Sequence, residues 1–140
     1  MTLTNKKFGE LIDLLVVELD LDTDITVDRI WNEAEVTFSD NTEYVILDEG
    51  QQVEAVKGTI YETASYFNSE FLEEMTGIPS EAFESLRGHD NAVVKIIEAT
   101  CGLDAFVEEC IAVDGAGHFL AHYDGEEIEL DGSYSAFRIN

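Results

Sequence analysis

AEVTFSDNTEYVIL, residues 34–47, decides the fold class. Ala34, Val36 and Phe38 alternate with Glu35 and Thr37, the period of a strand that turns one face to a core. Ser39, Asp40, Asn41 and Thr42 are turn formers, because their short polar side chains bond the local backbone. Glu43-Tyr44-Val45-Ile46-Leu47 then returns as a second strand, so the stretch predicts a β-hairpin.

On both sides of the hairpin the period changes. Upstream, Phe8, Leu11, Ile12, Leu15, Val16 and Leu19 recur at spacings of three and four, with Glu10, Asp13 and Asp20 off that face. This predicts an amphipathic N-terminal helix. Downstream, Val53, Val56, Ile60, Ala64 and Phe67 predict a long helix, weakened at Gly58 by about 1 kcal/mol relative to Ala. Asn68-Ser69 restarts a helix carrying Phe71, Leu72 and Met75, which Gly77-Ile78-Pro79 stops. Shorter helices are expected at Ser80–Leu86, Asn91–Thr100 and Leu103–Val113, with Gly88, Gly102 and Gly115 as their ends. Past Gly115 the pattern reads as strands at His118–Tyr123, Glu127–Leu130 and Tyr134–Ile139, joined by turns at Asp124-Gly125 and Asp131-Gly132. No repeat or linker interrupts this order. The expectation is one acidic α+β domain over residues 1–140: an N-terminal helix, a β-hairpin, a central helical segment and short C-terminal antiparallel strands.

A chain of 140 residues, 45% hydrophobic and 10% aromatic, has the means to build a core. Charge is the outlier. Thirty-one Asp and Glu stand against seven Lys and Arg, a formal net charge of −24. Affinity for phosphate comes from Lys and Arg displacing counterions, so direct binding to nucleic acid or an anionic membrane is disfavoured. Approach to a basic groove is accelerated, with a steep dependence on salt. The competing account is the solvated surface of a halophile. The acidic residues run from Glu10 to Asp131, so they decorate a folded body and do not form a disordered tail. Cys101 and Cys110 are too few for a disulfide framework. Lys6 and Lys7 lead into a helix already carrying Glu10 and Asp13, which is no signal core, and no apolar run is long enough for a bilayer. A reducing bacterial cytoplasm is the expected compartment.

The segment from Phe71 to Gly102, with Met75-Thr76-Gly77-Ile78-Pro79-Ser80 between two helices, resembles the helix-turn-helix of repressor-like DNA-binding domains. The resemblance implies a helix at Ser80–Arg87 entering the major groove. That helix carries Glu81 and Glu84 against the single Arg87, and Lys95 is the only other cation nearby. Phosphate positioning needs several basic side chains, so a hairpin used for packing or protein contacts is expected instead.

Cys101, Cys110, His118 and His122 have the residue types of a zinc site. Zinc-finger cysteines lie two to four residues apart, whereas these two are expected at the ends of one helix, about 13 Å apart. They read as small hydrophobes. Asp20, Asp22, Asp24 and Asp28 are spaced like the start of a calcium loop, but Ile25 stands where the turn glycine belongs and Trp31 where the last glutamate belongs. A solvated acidic turn is expected, and no metal or cofactor. No nucleophile–base pair or phosphate loop has a recognisable signature, so no catalytic residue is assigned and the chain is not expected to be an enzyme.

The most distinctive local text is Gly117-His118-Phe119-Leu120, then Tyr123-Asp124-Gly125-Glu126-Glu127, closing on Phe137-Arg138-Ile139-Asn140. It resembles the ending of small uncharacterised proteins encoded by bacteriophages, and the likeness continues more faintly through Asn91–Asp114. It implies a phage gene product acting in a bacterium and brings no named activity. Arg138 is expected to pair with Glu127 or Glu129 across strands.

Charge and ending together predict an anti-defence inhibitor. An acidic domain would occupy the basic groove of a restriction or CRISPR nuclease by setting carboxylates where phosphates sit. Helix positions three or four apart are about 5–6 Å apart, close to the separation of successive phosphates. Glu70, Glu73, Glu74, Glu81 and Glu84 have that spacing, and Glu126, Glu127, Glu129 and Asp131 add a strand-borne cluster. These are the candidate partner-binding residues. The expected partner is a basic nucleic-acid-binding protein of the host; homodimer formation is left open. Two alternatives stand beside this one: an acidic adaptor that binds through its helix-turn-helix-like segment, and an enzyme or sequestering protein for a small nucleotide defence signal, working through His118 and His122.

Overall fold

The computed structural model describes residues 5–31 and 34–140. Residues 1–4 and the Lys6 side chain, on which the reading of the N-terminus drew, lie outside the described residues. The fold is α+β, as the periodicities predict, and the chain divides into two compact units. One comprises residues 1–52 and 115–140, and the other Val53–Asp114.

The first unit is a five-stranded antiparallel sheet with a helix on one face. Its helix α1 (Asn5–Leu19) lays Phe8, Leu11, Ile12 and Leu15 into a core with Val36, Phe38, Tyr44, Ile46 and Ala136. The strands are β1 (Val27–Trp31), β2 (Glu35–Phe38), β3 (Glu43–Asp48), β4 (Ile128–Glu129) and β5 (Tyr134–Arg138), in the order β1-β2-β3-β5-β4. β2 and β3 are the predicted hairpin, with Asn41 at φ 70 in its turn and the Asp40 carboxylate accepting from the Thr42 N–H and hydroxyl. Alternation sets which side chains go inside: Val36 and Phe38 are buried, and Glu35 and Thr37 between them are not. β3 pairs over its length with β5, Ile46 opposite Ala136, which joins residues some ninety positions apart in sequence.

One strand goes beyond the sequence expectations, and two of them change. β1 is not signalled by alternation, because a register shift between Val27 and Arg29 breaks the period. The stretch expected as a strand at His118–Tyr123 contains instead a one-turn helix, α7 (Ala116–Leu120), which buries Ala116, Phe119 and Leu120; a short apolar run fits either state, and packing decides. Asp124-Gly125 is consequently not a hairpin turn. It belongs to the turn that follows α7, with the Gly125 N–H donating to the Ala121 carbonyl at 2.8 Å.

The second unit is helical. Helix α2 (Glu49–Thr63) carries the chain into it and ends sooner than expected, passing into a single 3₁₀ turn at Ala64–Tyr66. Then come α3 (Ser69–Thr76), α4 (Ser80–Glu84), α5 (Asp90–Ala99) and α6 (Leu103–Asp114), close to the predicted bounds. Asn68 caps α3, its side-chain oxygen accepting from the Glu70 and Phe71 N–H groups. Gly77, at φ 78, ends it in the left-handed conformation that a side chain resists. Val56, Ile60, Leu72, Phe83, Val93, Ile97, Phe106 and Val107 are fully buried, and the Phe106 ring meets those of Phe67 and Phe71 at 5.5 and 5.6 Å.

Candidate functional site

In the second unit the acidic candidates occupy α3, α4 and their junction. Glu70, Glu73, Glu74, Glu81 and Glu84 are all exposed. The structure divides them by task. Glu73 accepts a hydrogen bond from the Ser80 N–H at 2.9 Å, which satisfies one of the free donors at the start of α4. Glu84 accepts from the buried Ser69 hydroxyl and lies 3.8 Å from the Arg87 guanidinium. Glu70, Glu74 and Glu81 make no ion pair among the described residues and present their carboxylates to water.

Arg87, the one cation of the Ser80–Arg87 stretch, is engaged inside the helical unit. Its guanidinium donates to the Ser65 and Phe67 carbonyls at 2.6 and 2.8 Å and to the Ser69 hydroxyl at 2.8 Å. The cation that a DNA-reading helix would direct at phosphate is instead tying the 3₁₀ turn to the start of α3. Beside it, the Ser65 N–H and hydroxyl both donate to Asp90, and these bonds hold its carboxyl below the usual carboxylate range.

In the first unit Glu126, Glu127, Glu129 and Asp131 follow α7 and run through β4. Glu127 and Glu129 line an open concavity of about 700 Å³ together with Glu18 of α1 and Ile128. Glu18 was not among the candidate residues. Over a hundred positions separate it from Glu127, and its place on the polar side of α1 carries no local signal. Glu127 also accepts from the Ser135 hydroxyl at 2.8 Å, which fixes its direction. Glu126 is exposed on the loop before it.

Asp131 is engaged within the fold. It bonds the Ser133 and Tyr134 N–H groups in the turn before β5 and pairs with Lys7 at 2.7 Å. The Lys7 ammonium holds its carboxyl low, and Asp131 raises Lys7 in return. The expected pairing of Arg138 with Glu127 or Glu129 is replaced by stacking: its guanidinium lies 3.7 Å from the Tyr123 ring centroid.

Five of the described cations are engaged locally, while Lys95 is exposed on α5. Lys7 holds Asp131, Lys57 meets Glu54 and Asp104, and Arg87 is bound internally, while Arg29 and Arg138 stack on Trp31 and Tyr123. Both units remain strongly acidic. Thirteen acidic residues face three basic ones over 53–114, and eighteen face four in the remainder.

No three His, Cys, Asp or Glu side chains among the described residues converge to hold a metal. His118 and His122 are exposed on and after α7. Cys110 is buried in α6, and burial pushes its thiol up to about 12, so it stays protonated at neutral pH. Asp22 and Asp24 lie exposed in the turn before β1, and Asp28 is part of that strand. No protein-family model matches the chain, and no curated protein or solved structure matches it either.

Proposed function

We propose that this protein is a phage anti-defence inhibitor that acts as a nucleic-acid mimic, filling the basic groove of a restriction or CRISPR nuclease in the bacterial cytoplasm. One observation carries the reading: a net charge of −24 is mounted on helices and strands, and Lys7, Lys57, Arg29, Arg87 and Arg138, five of its seven cations, are held by local contacts. A folded acidic surface loses little freedom on binding, so its carboxylates compete with phosphates at a small entropic cost. Glu70, Glu74 and Glu81 supply one exposed set, and Glu18, Glu126, Glu127 and Glu129 the other. Glu73, Glu84 and Asp131 serve chiefly to fix the elements that bear them. Blockade requires no turnover, so the action is stoichiometric. No helix among the described residues is long and apolar enough to cross a membrane.

The test is capture of a partner from bacterial lysate at low and at high salt, followed by competition with duplex DNA and with RNA. A basic nuclease or effector subunit, retained at low salt and displaced by nucleic acid, is the expected result. A partner held equally at both salt concentrations and indifferent to nucleic acid would replace mimicry by the adaptor reading.

A further inference from the structure

The sheet of the first unit ends on a strand whose core-side face is open. β1 is an edge strand, paired with β2. Val27 lies opposite Phe38 and Ile30 opposite Val36, and opposed residues of an antiparallel pair share a face. Phe38 and Val36 are fully buried, yet Val27 is 40% exposed and Ile30 51%. The apolar face of the sheet thus runs one strand further than its cover. On the opposite face Trp31 is 43% exposed, with the Arg29 guanidinium 4.1 Å from its ring centroid. The outer backbone edge of β1 has no neighbouring strand among the described residues, and such an edge is a template for another strand.

Charge selects the occupant. Asp20, Asp22 and Asp24 stand exposed on the turn leading into β1, and Asp28 stands within it. The strand's own cation, Arg29, is stacked on Trp31. A second copy would bring the same acidic collar against itself, from a chain of charge −24. We propose that the β1 edge accepts an extended basic segment of a partner protein, which adds to the five-stranded sheet as a further strand. Its apolar side chains cover Val27 and Ile30, and its alternate Lys or Arg side chains reach the aspartates. This rests on the reading of a basic partner, but it uses residues other than the glutamate sets.

The experiment titrates the intact, isotope-labelled chain with two short synthetic peptides, one alternating Lys with Val and the other Lys with Gly. The Lys–Val peptide is expected to slow amide exchange across Val27–Trp31 and to bind about tenfold more tightly than the Lys–Gly peptide. Ile30→Lys should erase that difference while the melting temperature holds, because the side chain is already half in water. Val27→Lys is the second variant, should the first disturb the sheet. Equal binding of both peptides, exchange protection confined to the glutamate-bearing segments, or a peptide-free dimer abolished by Ile30→Lys would each overturn the proposal. Loss of the edge effect with nuclease capture intact leaves groove mimicry standing; the reverse result leaves the edge standing.

Discussion

At Gly117 the backbone of α7 meets the loop that carries the C-terminal glutamates. A Cβ placed there would stand 2.5 Å from the Gly125 carbonyl oxygen and 3.0 Å from backbone atoms of Glu126 and Glu127. Backbone cannot step aside as a flexible side chain can, so Gly117→Ala is expected to destabilise the first unit by about 1–3 kcal/mol, read by urea denaturation. An unchanged midpoint would mean that the loop yields freely. Asp90 offers a residue-level test with a pH signature. Its carboxyl is held low by the two Ser65 donors. A depressed folded value adds stability above the ordinary carboxylate range, about pH 4, and that stability is lost as pH falls through the folded value. Asp90→Asn should therefore be less stable than the parent at neutral pH, with the gap narrowing in acid; a gap constant from pH 7 to pH 3 would assign the loss to packing.

At the scale of elements, α3 and α4 separate structural glutamates from presented ones. Glu70→Gln, Glu74→Gln and Glu81→Gln together should weaken binding to a basic partner with little change in melting. Glu73→Gln should instead cost about 0.5–1 kcal/mol through the weakened bond to the Ser80 N–H, seen in chemical denaturation. If all four behave alike, the division fails. The elements themselves were legible where the chemistry is local: the hairpin at 34–47, the Asn68 cap and the Gly77 stop each sit within a few residues of what they control. β1 was hidden because the bulge places Val27 and Ile30 on one face at a spacing of three, which no strand template matches. α7 was hidden because its apolar run is too short for periodicity to choose. The acidic candidates were visible as residue types. Their roles were not, since the partners of Asp131, Glu84 and Glu127 are fixed by folding: Lys7 lies 124 positions from Asp131, and Glu18 over a hundred from Glu127.

For the whole molecule, the decisive quantity is charge that its own cations leave uncancelled. Association with a basic groove should slow by at least about tenfold between low and physiological salt, while the dissociation rate changes far less. Surface plasmon resonance across a salt series would show it, and a salt-independent association rate would contradict electrostatic steering. The sheet has a further consequence, for biogenesis. β3 is flanked by β2, its neighbour in the chain, and by β5, made some ninety residues later. A nascent chain that has reached residue 114 holds every element of the helical unit, whereas β3 still lacks the strand that closes its second side. On the ribosome the helices are therefore free to form first. Until β5 emerges, the central strand of the sheet has a bare flank, a window in which a chaperone has something to hold.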